Sequence, residues 1–180
     1  MSGGPSRRQL LTGIAGGVAG FLLPLPALAR PAPPRRALSF HNLHTNENLA
    51  VTYYADGRYD RHALTKIDVI LRDHRTGDVQ PIDPKLIELL FDLRHQMGSD
   101  APFHIISGYR SPRTNGKLAS KSKGVAKKSL HMRGLAIDVR LPDRRLKDVR
   151  KTAIAMRRGG VGYYGKSGFV HLDTGRVRYW

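Results

Sequence analysis

The sequence predicts an α+β domain in which helices cover one face of a largely antiparallel sheet. Three features carry that expectation: short apolar runs at residues 103–106, 135–139 and 169–172, apolar residues at helical spacing in stretches between them, and a hairpin-like segment at the front. Interleaved in this order, such segments pack as helices over a sheet. With 180 residues, 40% of them hydrophobic and 25% charged, the chain suits one globular core plus a removable or flexible end.

The elements follow in chain order. Ser6-Arg7-Arg8-Gln9-Leu10-Leu11 sets two arginines before an apolar run, which closes on Pro26-Ala27-Leu28-Ala29, a small-x-small cleavage signature. Residues 1–29 therefore read as a twin-arginine signal peptide, a route that carries folded proteins into the periplasm. An uncleaved anchor is the alternative, since residues 10–29 are just long enough to span a bilayer. Gly13, Gly16, Gly17, Gly20, Pro24 and Pro26 weaken such a helix. Residues 30–37, rich in proline and arginine, read as an extended linker, with the domain over 38–180. Within 38–54 a hairpin is expected, its second strand at 49–54 ended by Asp56-Gly57. Asp60 caps a helix over 61–73 whose stripe is Leu64, Ile67 and Leu71. Asp83-Pro84 opens a second, with Leu86, Leu89, Leu90 and Leu93 leading to Gly98. A third begins after Pro142-Asp143, runs through Leu146, Val149, Ala153 and Met156, and stops at Gly159-Gly160. Between them, residues 114–128 read as a long loop rich in glycine and lysine.

The chain contains no cysteine, so disulfides, thiolate metal sites and thiol nucleophiles are excluded, and any metal falls to His, Asp or Glu. Its formal net charge is +17, and loss of residues 1–29 would remove only Arg7 and Arg8 from it. Such a field attracts polyanions. In an exported protein these are anionic envelope polymers or lipid head groups, with peripheral association at envelope surfaces, rather than nucleic acid. The chain also shows no groove-reading or stacking motif. The lysines at 117, 121, 123, 127 and 128 suit a wall-binding patch, although a solvated loop is the simpler account.

The chemistry concentrates in Ser129-Leu130-His131-Met132-Arg133-Gly134-Leu135-Ala136-Ile137-Asp138 and in Phe169-Val170-His171-Leu172-Asp173. Asp138 falls in one expected strand, His171 in another, and a turn at Arg133-Gly134 can fold His131 back toward the carboxylate. Two imidazoles and one carboxylate leave a coordination position for water, the pattern of catalytic rather than structural zinc. Asp173 shares a strand face with His171, so it serves either as general base or to orient a ligand. Arg110, in a turn after the strand at 103–106, is assigned to the developing oxyanion or to a substrate carboxylate. Ser129, at the head of the first segment, is assigned with Arg110 to substrate binding. His41, His44, His62, His74, His95 and His104 are taken as surface or hydrogen-bonded histidines.

These residues, with Ser107-Gly108-Tyr109-Arg110-Ser111-Pro112, Gly159-Gly160-Val161-Gly162-Tyr163-Tyr164 and the closing stretch from Phe169 to Trp180, resemble the M15 zinc peptidases. The resemblance is to the M15A-like murein endopeptidase K family, formerly a domain of unknown function, and it covers nearly the whole chain after the expected signal. It implies a fold like that of hedgehog and the D-alanyl-D-alanine peptidases, with Zn2+ held by His131, Asp138 and His171. It also implies cleavage of peptidoglycan cross-links at D-alanine or meso-diaminopimelate bonds. Several relatives carry their base three or two residues before the last ligand. Here those positions are Gly168 and Phe169, so no base is carried over. The alternatives are a D,D- or L,D-carboxypeptidase of the same fold, or a zinc-containing peptidoglycan-binding domain without activity.

Overall fold

The computed structural model describes Met1, residues 35–122 and residues 124–180. The cleavage motif and paired arginines of the expected signal peptide, residues 30–34 of the linker and Lys123 lie outside the described residues. Among the described residues, no helix is long and apolar enough to cross a membrane.

Eight strands of the described residues form one mixed sheet: β1 Arg36–Asn42, β2 Asn48–Ala55, β3 Arg58–Tyr59, β4 Phe103–Ser107, β5 Ala136–Arg140, β6 Gly160–Tyr164, β7 Phe169–Asp173 and β8 Arg178–Tyr179. Their order is β3-β2-β1-β4-β5-β7-β6-β8. Most neighbours are antiparallel, while β1 with β4 and β6 with β8 are parallel. The expected hairpin forms as β1 and β2, but it starts at Arg36, so Arg36 and Ala37 pair with β2 instead of belonging to an unpacked linker. Arg36 is held there by Glu88 and lies over the rings of Tyr54 and Phe91.

Strand alternation sorts the two faces. Leu38, Phe40, Phe103, Ile105, Ile137, Val139, Val161, Val170 and Leu172 point to one side, into a single apolar cluster. Three helices complete that cluster: α1 Arg61–Ile70, α2 Pro84–Gln96 and α4 Leu146–Met156. Asp60 caps α1 by accepting from the His62 and Ala63 amides, and Asp83 caps α2 from Lys85, with Pro84 in its first turn. By contrast, α4 starts at Leu146 without a side-chain cap. Asp143, the expected start signal, instead accepts from Ser99 Oγ at 2.9 and 3.0 Å. The expected helix stop at Gly159-Gly160 is partly a strand, because Gly160 opens β6.

The larger correction concerns residues 114–128. Their first part is a helix, α3 Pro112–Lys121, capped by Ser111 accepting from the Thr114 amide. An apolar stripe was absent as a signal, because α3 buries Thr114 and Asn115 rather than aliphatic side chains. Asn115 reaches the carbonyls of Ala126 and Lys127 at 3.1 and 3.3 Å, tying the following loop to the helix.

Candidate metal centre

The side chains that carry chemistry occupy the sheet face opposite the apolar cluster. Antiparallel pairing of β5 with β7 sets Asp138 directly across from His171, and Asp173 follows His171 on the same face. His131 arrives from a 3₁₀ turn, Leu130–Arg133, just before β5. Gly134 ends that turn at φ +67 and donates its N–H to the His131 carbonyl at 3.4 Å. Only glycine fits there: a Cβ would sit 2.2 Å from the Pro81 carbonyl oxygen. The turn expected at Arg133-Gly134 is thus the device that folds His131 back.

Three atoms converge. His171 Nδ1 lies 2.9 Å from Asp138 Oδ1, His131 Nε2 3.3 Å from the same oxygen, and the two imidazole nitrogens 3.2 Å apart. The outer ring nitrogens explain what these atoms are. His131 Nδ1–H donates to the Gly108 carbonyl at 2.7 Å, and His171 Nε2–H donates to Asp173 Oδ2 at 3.0 Å. In its neutral form each ring therefore turns a lone pair inward, beside a carboxylate oxygen. Three acceptors at such distances repel one another unless a cation or a proton lies among them. Four-coordinate ligands bonded at 2.0–2.1 Å stand about 3.3 Å apart, so the triangle has the size of a metal site. His131, Asp138 and His171 are all buried, and they form the group among the described residues able to hold a metal ion.

The electrostatics agree. Burial pushes the Asp138 carboxyl up, but His131 and His171 outweigh it and hold it well below the usual carboxylate range. Burial likewise pushes His171 down, while hydrogen bonds to Asp138 and Asp173 raise it above its ordinary value. Asp138 Oδ2 accepts from Arg110 Nη2 at 3.2 Å. The Arg110 backbone N–H also donates to the His131 carbonyl, so Arg110 touches two members of the triangle.

Asp173 is fully buried and accepts from His171, the Gly160 and Gly175 amides, and both terminal nitrogens of Arg178. Asp173 is absent from the cleft lining, and its contacts are those of a group that orients His171. Ser129 lines the cleft, yet its Oγ is used in accepting the His131 amide at the head of the 3₁₀ turn. His44 stacks on His74 and His41 meets His104 edge-on, on residues outside the cleft lining.

A cleft of about 260 Å³ opens onto the triangle. Arg110, Leu118, Val125, Lys128, Leu130, Tyr164, Phe169 and Trp180 are among the residues that line it. Among the described residues, Asp138 is the only acid in that lining. Trp180 and Tyr164 were not singled out by spacing. The indole ring lies 5.3 Å from the His171 ring, and its Nε1–H donates to Tyr164 Oη at 3.0 Å. Gly162, opposite His171 on β6, makes room for it, because a Cβ there would meet the indole at 2.6 Å. The one tryptophan of the chain, preceded by a strand-like Arg-Tyr pair, was the available signal.

Comparison with known proteins gives the same address. The model of the peptidase M15 family described as "Peptidoglycan L,D-endopeptidase MepK" matches residues 30–180. The peptidoglycan L,D-endopeptidase MepK of Escherichia coli (strain K12) is 45% identical, with 97% of each chain covered, and the one from Shigella flexneri is equally similar. A probable peptidoglycan L,D-endopeptidase MepK of Haemophilus influenzae is 40% identical over 94% of this chain and 91% of its own. A family model spanning most of the chain, relatives this similar along their whole length and a buried His-Asp-His triangle lead to one conclusion: the chain belongs to the MepK family of M15 peptidases.

Proposed function

We propose that this protein is a zinc-dependent endopeptidase that hydrolyses an L,D peptide bond in the cross-links of peptidoglycan, at D-alanine or meso-diaminopimelate positions, during wall remodelling. The observation that carries the reading is the triangle of inward lone pairs from His131, Asp138 and His171 at the floor of an open cleft. Two nitrogens and one oxygen, with no sulfur, suit zinc with a position left for solvent. What zinc supplies there is Lewis acidity toward a scissile carbonyl and toward water.

The protein's own groups do the rest. His131 is oriented by the Gly108 carbonyl and His171 by Asp173, which Arg178 in turn neutralises. Arg110 fixes Asp138 and presents its guanidinium to the cleft, where it meets a substrate carboxylate or a carbonyl oxygen gaining charge. Tyr164, Phe169 and Trp180 wall the site against bulk water. Export to the periplasm by the twin-arginine route, with residues 1–29 removed, is part of the proposal and rests on Arg7-Arg8 and the Ala27-Leu28-Ala29 motif. A hedgehog and D-alanyl-D-alanine peptidase type of fold is likewise proposed, on the His-Asp-His placement across adjacent strands.

Metal analysis with muropeptide digestion tests the reading. Wild type is expected to bind one zinc and split cross-linked dimers, and His131→Ala to lose both. Dimers left intact by the zinc-loaded protein would refute an endopeptidase. Trimming of monomeric peptides instead would make it a carboxypeptidase.

A further inference from the structure

We infer that the exposed face of α3 is a docking surface for the carboxylate-bearing peptidoglycan polymer, holding the network beside the cleft. The inference rests on the proposed function for the identity of the polymer.

Between Asp100 and Asp138 the chain contains no acidic residue, while Arg110, Arg113, Lys117, Lys121, Lys127, Lys128 and Arg133 all lie there. Folding of residues 112–121 into a helix turns part of this run into a surface. Arg113, Lys117 and Lys121 are spaced four apart, so they stand in one row, and all three are exposed. Among the described residues none of the three enters a salt bridge, nor do Lys127 and Lys128. Like charges at this spacing destabilise a helix, and Gly116 weakens it further. The row therefore opposes the stability of α3, and an external anion is what would offset its repulsion.

Position and rigidity make the row useful. Leu118 on α3 and Ser122 just after it line the cleft, as does Lys128. A chain seated in the cleft and continuing past this wall meets the cationic row. Buried Thr114 and Asn115 anchor the helix, and Asn115 binds the loop carrying Lys127. The charges are thus held on a fixed frame. The exposed residues of α3 are Pro112, Arg113, Gly116, Lys117, Ser120 and Lys121, and beyond Pro112 at its start they offer no aliphatic or aromatic side chain for insertion into a bilayer. A hydrated polyanion fits this surface better than a lipid interface does.

The test separates docking from hydrolysis. Co-sedimentation with purified intact sacculi is measured in excess chelator, which keeps the polymer uncut and leaves binding readable whether or not the proposed activity is correct. Lys117→Glu/Lys121→Glu is expected to lower sedimentation roughly tenfold, on the scale of local enrichment by clustered charge. Added salt should lower wild-type binding in the same direction. Cleavage of short soluble cross-linked dimers by the zinc-loaded variant should be unchanged. Should the double variant misfold by circular dichroism, Lys117→Gln/Lys121→Gln carries the same comparison. Equal sedimentation of variant and wild type, or insensitivity to salt, overturns the inference. So does an equal loss of dimer cleavage, which would place the lysines in the cleft. Stronger wild-type binding to phosphatidylglycerol vesicles than to sacculi, lost in the variant, would assign the face to a membrane and refute it too.

Discussion

Asp173 has no solvent exposure, accepts from His171 and Arg178, and is absent from the cleft lining, the contacts of a group that acts through His171. Its carboxylate takes the His171 Nε2 hydrogen, leaves Nδ1 free to face Asp138, and raises the basicity of that nitrogen. Asp173→Asn is expected to weaken zinc binding by about 10–100-fold, measured by competition with a chromophoric chelator, with the far-ultraviolet spectrum retained. Unchanged zinc affinity with activity gone would restore the base role. At this scale the sequence was informative but ambiguous. Period-two spacing put Asp173 beside His171, and only its burial and its contact with Arg178 favour an orienting group over a base.

Between residues and fold lie two short connections that aim the site. The 3₁₀ turn depends on Gly134, whose φ of +67 and contact with the Pro81 carbonyl admit no side chain. Gly134→Ala is expected to cost about 1–3 kcal/mol of stability from the left-handed backbone alone, read by urea denaturation, and more if Pro81 cannot shift. The second connection is Asp73, between α1 and α2, which accepts from the Ser111 amide at 2.9 Å and so pins the start of α3 next to Arg110. Burial raises the Asp73 carboxyl, but hydrogen bonds from Thr114, Ser111 and Arg75 overcome it and set it below its ordinary 3.8. A carboxylate with a depressed pKa stabilises the fold fully above the unfolded value and loses that contribution as pH falls through the folded one. Asp73→Asn should therefore be less stable than wild type at neutral pH, with the gap closing below about pH 3.8. A gap that stays constant down to pH 2 would rule out this contribution. The helices α1 and α2 were legible because Asp60 and Asp83-Pro84 are local capping signals. In contrast, α3 was hidden: its buried residues are polar, and its stabilising partners are the loop carbonyls of Ala126 and Lys127.

For the molecule as a whole, one sheet divides the labour. Its helical side holds the apolar cluster, its open side the triangle and cleft, and β5 and β7 contribute alternate residues to both. Leu90, fully buried in α2, belongs entirely to the first side. Leu90→Ala is expected to cost about 2–5 kcal/mol, seen as a lower urea midpoint, while zinc affinity of the remaining folded protein is unchanged. If zinc binding fell in step with stability, the two faces would be coupled more tightly than strand alternation implies.

The sequence by itself determined the fold class, most of the secondary structure on the helical side and the identity of the three converging residues, because strand alternation, helix stripes and caps act over a few neighbours. It also determined the family, through motifs read in order along the chain. Tertiary structure alone decided that β7 inserts between β5 and β6, which puts Asp138 across from His171. It further decided that Trp180 folds over Gly162 beside His171, and that Arg178 closes on Asp173. Those contacts join residues far apart in the chain. Their energies come from pairing register and close packing, which no local pattern of residues encodes.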